Sequence, residues 1–192
     1  MSKILLASNN QGKIAEIKAL LPQYEVFGLK DIGVDIDVVE DKDSFEGNAL
    51  KKAQEIGDAY PEYWVLADDS GLCCDALDGA PGIYSARYAG ENANSEDNMA
   101  KLLNELGGNE NRSAYFICVL AFYRKGLSYL FDGKVHGTIA LAKSGNKGFG
   151  YDPLFIPEGY TETFADLPST VKKEVSHRAK ALEKLMAFLK DD

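Results

Sequence analysis

The stretch KILLASNNQGKIAEIKALLPQYEVFGL, residues 3–29, decides how the rest of the chain is read. Lys3 to Ala7 is a short apolar run of the kind a buried strand needs. Ile14, Ile17 and Leu21 then recur at helical spacing. Pro22 ends that helix, because its ring clashes with the turn before it and it has no N–H to donate. Tyr24 to Leu29 reads as a second strand. Strand, helix, strand in this order is the opening of an α/β protein. Between the first two elements lies Ser8-Asn9-Asn10-Gln11-Gly12-Lys13, with Asn10 suited to cap the helix. The N–H groups of a first helical turn lack partners and the helix dipole favours negative charge there, so this loop suits an anion. It is not a Walker loop, since the Gly-x-x-x-x-Gly-Lys-Ser/Thr spacing is absent. Lys13 sits badly against the dipole unless it meets an anion; its ordinary alternative is a solvated side chain.

Further along, Asp43-Ser44-Phe45-Glu46 reads as a capping box opening a helix, with Phe45, Ala49, Ala53 and Ile56 on one face. Trp64 to Ala67 is a short strand running into Asp68-Asp69-Ser70-Gly71. The Gly/Pro-rich loop LDGAPGIYSARYAG follows, long for a connector. Ser95 caps a helix with Leu102, Leu103 and Leu106. Ala114 to Tyr123, Leu127 to Phe131 and Lys134 to Ala142 read as consecutive strands, with a hairpin at Lys125-Gly126. A second glycine-rich loop, SGNKGFGYDPLF, precedes a final helix opened by Ser176, with Ala179, Leu182, Leu185, Met186 and Leu189 on its apolar face.

The chain of 192 residues suits one large domain, or one domain with two lobes. Its 45% hydrophobic and 27% charged composition excludes a disordered chain. No apolar run reaches the roughly 18 residues of a membrane span, and no signal peptide is expected at Met1-Ser2-Lys3-Ile4. Cys73, Cys74 and Cys118 have no metal-ligand spacing and are expected to be reduced thiols of a cytoplasmic protein. The net charge of −9 argues against polymeric nucleic acid as a partner. An acidic protein that binds an anion must gather its few cations in one place.

Several stretches are candidates for that place. In SHRAKALEKL, His177 and Arg178 crowd the positive end of a helix, which costs a few tenths of a kcal/mol unless an acceptor neutralises them. Glu40 and Asp68-Asp69 supply carboxylates; strand-end carboxylates in α/β sheets face the ligand crevice, and Mg²⁺ uses one or two of them beside phosphate and water. In GFGYDPLF, Phe149 and Tyr151 can sandwich a flat base and Asp152 can accept from a ring N–H. Lys52 adds a cation on the second helix. Each has an ordinary alternative as a turn, a cap, a core-packing loop or a solvated side chain.

Together, SNNQGK, FEGNALKKA, ADDSGL, GAPGIYSARYAG, GFGYDPLF and SHRAKAL resemble, in order, the inosine triphosphate pyrophosphatase family of non-canonical purine nucleotide hydrolases. The resemblance runs from about Ile4 to Leu189 and is nearer the bacterial type, which has Tyr-Asp-Pro. It implies one domain over 1–192, a long mixed twisted sheet with flanking helices, and two lobes enclosing an active-site cleft. It also implies Mg²⁺-dependent hydrolysis of ITP, dITP and XTP to the monophosphate and pyrophosphate, in a homodimer. By that resemblance Ser8, Asn10, Lys13 and Lys52 hold phosphate, and Glu40 and Asp69 bind metal. Asp69 also activates water. Ser70 contacts substrate; Phe149, Tyr151, Asp152 and Lys172 form the base pocket; Ser176, His177 and Arg178 read the 6-keto edge. The chain departs from the family pattern at Gly47, where a glutamate is common, and at Thr170; Glu46 is given no role. Rival readings are a pyrophosphatase for other modified nucleotides and a non-catalytic nucleotide sensor.

Overall fold

Ile4, Leu5 and Leu6 are all buried, so strand β1 (Lys3–Leu6) is covered on both faces, as a parallel strand in an α/β sheet must be. A computed structural model describes residues 3–191. Helix α1 (Gln11–Leu20) follows β1, and β2 (Glu25–Gly28) pairs parallel to it, Ile4 opposite Val26. Then come α2 (Phe45–Ala59), β3 (Trp64–Cys74), α3 (Ser95–Leu106), β4 (Ser113–Arg124), β5 (Leu127–Ile139), β6 (Phe155–Pro157), α4 (Ser169–Val175) and α5 (His177–Asp191). The six strands form one sheet in the order β2-β1-β3-β4-β5-β6. It is mixed: β3 runs parallel to β1, and β6 runs antiparallel to β5. The α/β architecture is the one the sequence predicts.

Several local details differ from expectation. The strand expected to end at Ala67 continues to Cys74, straight through Asp68-Asp69-Ser70-Gly71. The hydrophobic Leu72, Cys73 and Cys74 beyond are buried and reward the extension. The two strands expected over 127–142 are one: residues 131–139 alternate in burial through Asp132-Gly133, as one half-buried strand should. Lys125 and Gly126 both have positive φ, 51° and 81°, matching a tight two-residue hairpin. Ser44 caps α2, accepting from Gly47 N at 3.1 Å, and Glu46 is exposed. Asn94 rather than Ser95 caps α3. Helix α4, which carries Lys172, has no counterpart in the sequence reading.

The chain divides into two compact units. The first comprises residues 1–69, 118–133 and 180–192, and its core joins Ile4, Leu6, Ile17, Leu66, Phe122 and Leu185. The second comprises residues 70–117 and 134–179, with Leu72, Leu102, Phe116, Leu154, Phe155 and Phe164 at its centre. Among the described residues no helix is long and apolar enough to cross a membrane.

Candidate active site

In the first unit the loop after β1 is shaped by its own side chains. Asn10 Oδ1 accepts from Lys13 N at 3.1 Å and caps α1, while Ser8 Oγ accepts from Asn10 N at 3.2 Å. The cap places Lys13 in the first helical turn, where its ammonium lies 2.7 Å from the buried Asp68 Oδ1. Lys52 stands on α2 and is itself buried. Its Nζ lies 2.5 Å from Glu40 Oε1 and donates to the Asp68 carbonyl at 2.7 Å. Burial works against its charge, but Glu40, Asp69 and Asp68 outweigh that, and the Lys52 pKa is raised.

Asp69 is 3% exposed, and its Oδ2 accepts from Asn48 Nδ2 at 3.0 Å. Burial pushes its carboxyl up from the ordinary 3.8 to about 6. Lys52, Lys13 and the Asn48 hydrogen bond hold it down; Glu40, a like charge, adds to the rise. Five side chains from the first turn of α1, residue 40, α2 and β3 thus make one electrostatic cluster: Lys13, Glu40, Lys52, Asp68 and Asp69. Of the candidate site residues in this unit, Lys13, Glu40, Lys52 and Asp69 lie in this cluster, and Ser8 and Asn10 lie in the loop that places Lys13.

The second unit gathers a different set. Asp152 is buried; its Oδ2 accepts from Phe149 N at 2.8 Å and from Lys172 Nζ at 2.6 Å. The Lys172 ammonium also lies 4.7 Å from the centre of the Phe149 ring, within cation–π range. Arg178 is 1% exposed, donates from Nη2 to Ser70 Oγ at 3.0 Å, and stands 6.0 Å from the same ring. Ser176 Oγ accepts from Ala179 N at 3.2 Å, so it caps α5 as the sequence implies. His177 is buried and stacks on Phe116, ring centres 4.9 Å apart and planes 13° apart. Phe149 is half-buried, but Tyr151 belongs to the core, and its hydroxyl donates to the Ser85 carbonyl at 2.9 Å.

Gly148 is required by this arrangement. Its φ is +75°, and a Cβ there would stand 2.0 Å from Asp152 Oδ2, the atom that holds Phe149 N and Lys172. Gly150 also has positive φ, +62°, but open space around it. Gly148→Ala is expected to lose about 1–3 kcal/mol of stability, and Gly150→Ala only the backbone penalty, about 1 kcal/mol. Urea melts of the two variants check this; equal losses would mean that the Asp152 contact is not what the first glycine protects.

The sequence assigns no role to Asn48 or Phe116. Asn48 precedes Lys52 by four residues on α2, so both lie on one helical face. A polar pair at that spacing, beside Ala49, Ala53 and Ile56, was the signal available. Phe116 had none, because nothing local links a strand phenylalanine to a histidine on the final helix.

Comparison with known proteins follows the same lines. Residues 4–188 match the profile of the Ham1 family. A dITP/XTP pyrophosphatase of Flavobacterium johnsoniae is 47% identical over 97% of this chain and 97% of its own. One from Clostridium perfringens is 49% identical over 99% and 98%. The solved structure of the Staphylococcus aureus Ham1 protein superposes with a TM-score of 0.89 at 45% identity, covering 99% of each chain.

Proposed function

The chain belongs to the Ham1 family, and on that premise we propose that it hydrolyses dITP, XTP and ITP to the monophosphate and pyrophosphate. Asp69 is the observation that carries this reading. A carboxylate that takes up a proton near pH 6 is a stronger base than an ordinary aspartate and is still ionised at neutral pH. Water attacks the α-phosphorus and gives its proton to Asp69. The bond from that phosphorus to the bridging oxygen breaks, and pyrophosphate leaves with the electron pair. Lys13 and Lys52 meet the charge that develops on the leaving group. Their carboxylate partners, Asp68 and Glu40, keep both lysines in place before substrate arrives.

Glu40 and Asp69 offer the hard oxygen donors that a divalent cation prefers, and the like-charge repulsion between them is what such an ion relieves. Among the described residues no group of three or more His, Cys, Asp or Glu side chains could hold a metal by itself. Mg²⁺ does not need one, since phosphate and water complete its shell. Bound there, Mg²⁺ would supply positive charge to the phosphate oxygens. Ser8 and Asn10 shape the loop that receives those phosphates.

Base selection falls to second-unit residues. Phe149 offers a stacking face, with Lys172 and Asp152 locking its loop and Tyr151 supporting the wall. Ser70 holds Arg178. Arg178 can only donate, and Ser176 starts the turn that brings it and His177 to the 6-keto edge of hypoxanthine or xanthine. Adenine has an amino group there, so donors would face a donor; such a mismatch discriminates by up to about 10⁴-fold. Within the same proposal residues 1–192 act as one catalytic domain, in a homodimer. The buried thiols of Cys73, Cys74 and Cys118 suit a reducing cytoplasm.

The test is pyrophosphate release with Mg²⁺ from dITP, ITP, XTP, GTP and ATP, compared as kcat/KM. The expected result is a preference for the first three over ATP of at least about 10²-fold. Equal rates on all five would keep the hydrolase and overturn the base-selection account. Binding without turnover would make the protein a nucleotide sensor.

A further inference from the structure

We infer that Asn48 is a positioning residue for Asp69: its side-chain amide sets the plane of the Asp69 carboxylate and ties it to the backbone of the segment that carries Glu40. The inference rests on the pyrophosphatase reading above. Asn48 is 0% exposed. A buried amide is costly unless both of its ends are bonded. Here both are: Nδ2 donates to Asp69 Oδ2 at 3.0 Å, and Oδ1 accepts from Lys42 N at 2.9 Å. The orientation of the amide is forced. An ionised carboxylate can only accept and a backbone N–H can only donate, so the reversed amide would face two mismatches.

The amide stands on a rigid support. Ser44 caps α2, and Ala49, Ala53 and Ile56 are fully buried along it. Lys52 follows Asn48 by one helical turn, so one helix face delivers both the amide that holds Asp69 and the ammonium that holds Glu40. The segment before the helix is held at further points. Lys51 Nζ donates to the Val39 carbonyl at 2.8 Å, and Asn9 Nδ2 donates to the Ile36 carbonyl at 3.1 Å. Glu40 lies between the Val39 anchor and the Lys42 anchor. The terminal torsion of an aspartate is broad and soft when free. Pinning Oδ2 removes that freedom, and a proton acceptor is effective only when its lone pair is held in line with the attacking water.

A purely structural role for Asn48, filling space and satisfying Lys42 N, predicts different behaviour. Asn48→Asp keeps nearly the same volume and an acceptor for Lys42 N but has no N–H for Asp69; because it also sets a second carboxylate beside Asp69, its rate is read on the high-pH plateau, where both groups are ionised. Asn48→Ala removes both bonds. With dITP and Mg²⁺, Asn48→Asp is expected to lose roughly 10–100-fold in kcat with KM within about threefold, because the interaction is made to the base and not to substrate. The second readout is a double-mutant cycle with Asp69→Asn, in single turnover at saturating nucleotide. Adding Asn48→Ala to Asp69→Asn should cost no further rate, since the group being positioned is already inactive. Circular dichroism on the metal-free proteins gives the folded fraction by which each rate is divided. Multiplicative losses in the cycle, or wild-type kcat in Asn48→Asp, would overturn the inference while leaving the pyrophosphatase reading intact. A wild type that releases no pyrophosphate from any of the triphosphates would overturn both.

Discussion

Asp69→Asn is expected to remove most turnover and, in the same protein, to raise the stability of the metal-free fold at neutral pH. The first effect follows from the loss of proton acceptance, which an amide cannot supply, and should reach about 10²–10⁴-fold in kcat. Nucleotide binding should persist, because Lys13, Lys52, Phe149 and Arg178 are untouched. The second effect follows from the raised pKa. In the unfolded chain Asp69 ionises near the ordinary 3.8; in the folded protein burial delays this to about 6. Below about pH 4 both states hold the proton and nothing is lost. As pH rises from 4 to 6 the unfolded state releases its proton first, so stability falls. Above 6 the full penalty remains, up to about 3 kcal/mol from that shift. Asparagine never ionises and escapes it. Chemical denaturation with chelator present, between pH 5 and 8, should show the variant's advantage growing with pH and levelling off above 6. A variant that is active at near-normal rates would end the assignment of Asp69 as base. An advantage that shrinks as pH rises would show that burial is not the dominant influence on its carboxyl.

Lys52→Met should do the opposite to stability. The lysine is buried and lies among Glu40, Asp68 and Asp69, which together outweigh the burial cost of its charge. Methionine fills similar space but leaves those carboxylates without their central cation. Breaking a buried pair in this way costs about 3–5 kcal/mol. Asp69 loses the largest influence holding its pKa down, so its carboxyl should rise further. The destabilisation should therefore increase with pH through the neutral range, as the deprotonated form becomes harder to accommodate. Turnover should drop by about 10²–10³-fold, since a preorganised cation at the leaving pyrophosphate is gone. Lys52→Arg retains the charge but not the compact ammonium geometry and should fall between. Urea melts and steady-state kinetics on the pair of variants test both effects. A Lys52→Met protein as stable as the wild type would mean that the carboxylates share protons or water freely enough to need no lysine.

Much of this protein is legible without coordinates. Residues 3–29 specify strand, helix and strand through the spacing of Ile4, Ile14, Ile17, Leu21 and Val26. Those periods depend on residues within a few positions of one another. The same is true of the hairpin at Lys125-Gly126 and the cap at Ser176. The ordered motifs from Ser8 to Arg178 marked the family and the residue types of its chemistry.

The pairings needed tertiary structure. Asp68-Asp69-Ser70-Gly71 looks like a turn because buried carboxylates ordinarily end a strand. They stay within β3 because Lys13, Asn48 and Lys52 arrive from other elements to satisfy them. Lys172 meets Asp152 across twenty residues, and His177 finds Phe116 across a much longer stretch of chain. Local sequence sets backbone period because neighbours along the chain limit φ and ψ. It does not set which charge is buried beside which, because that depends on long-range packing and on the solvent each group loses when the chain folds.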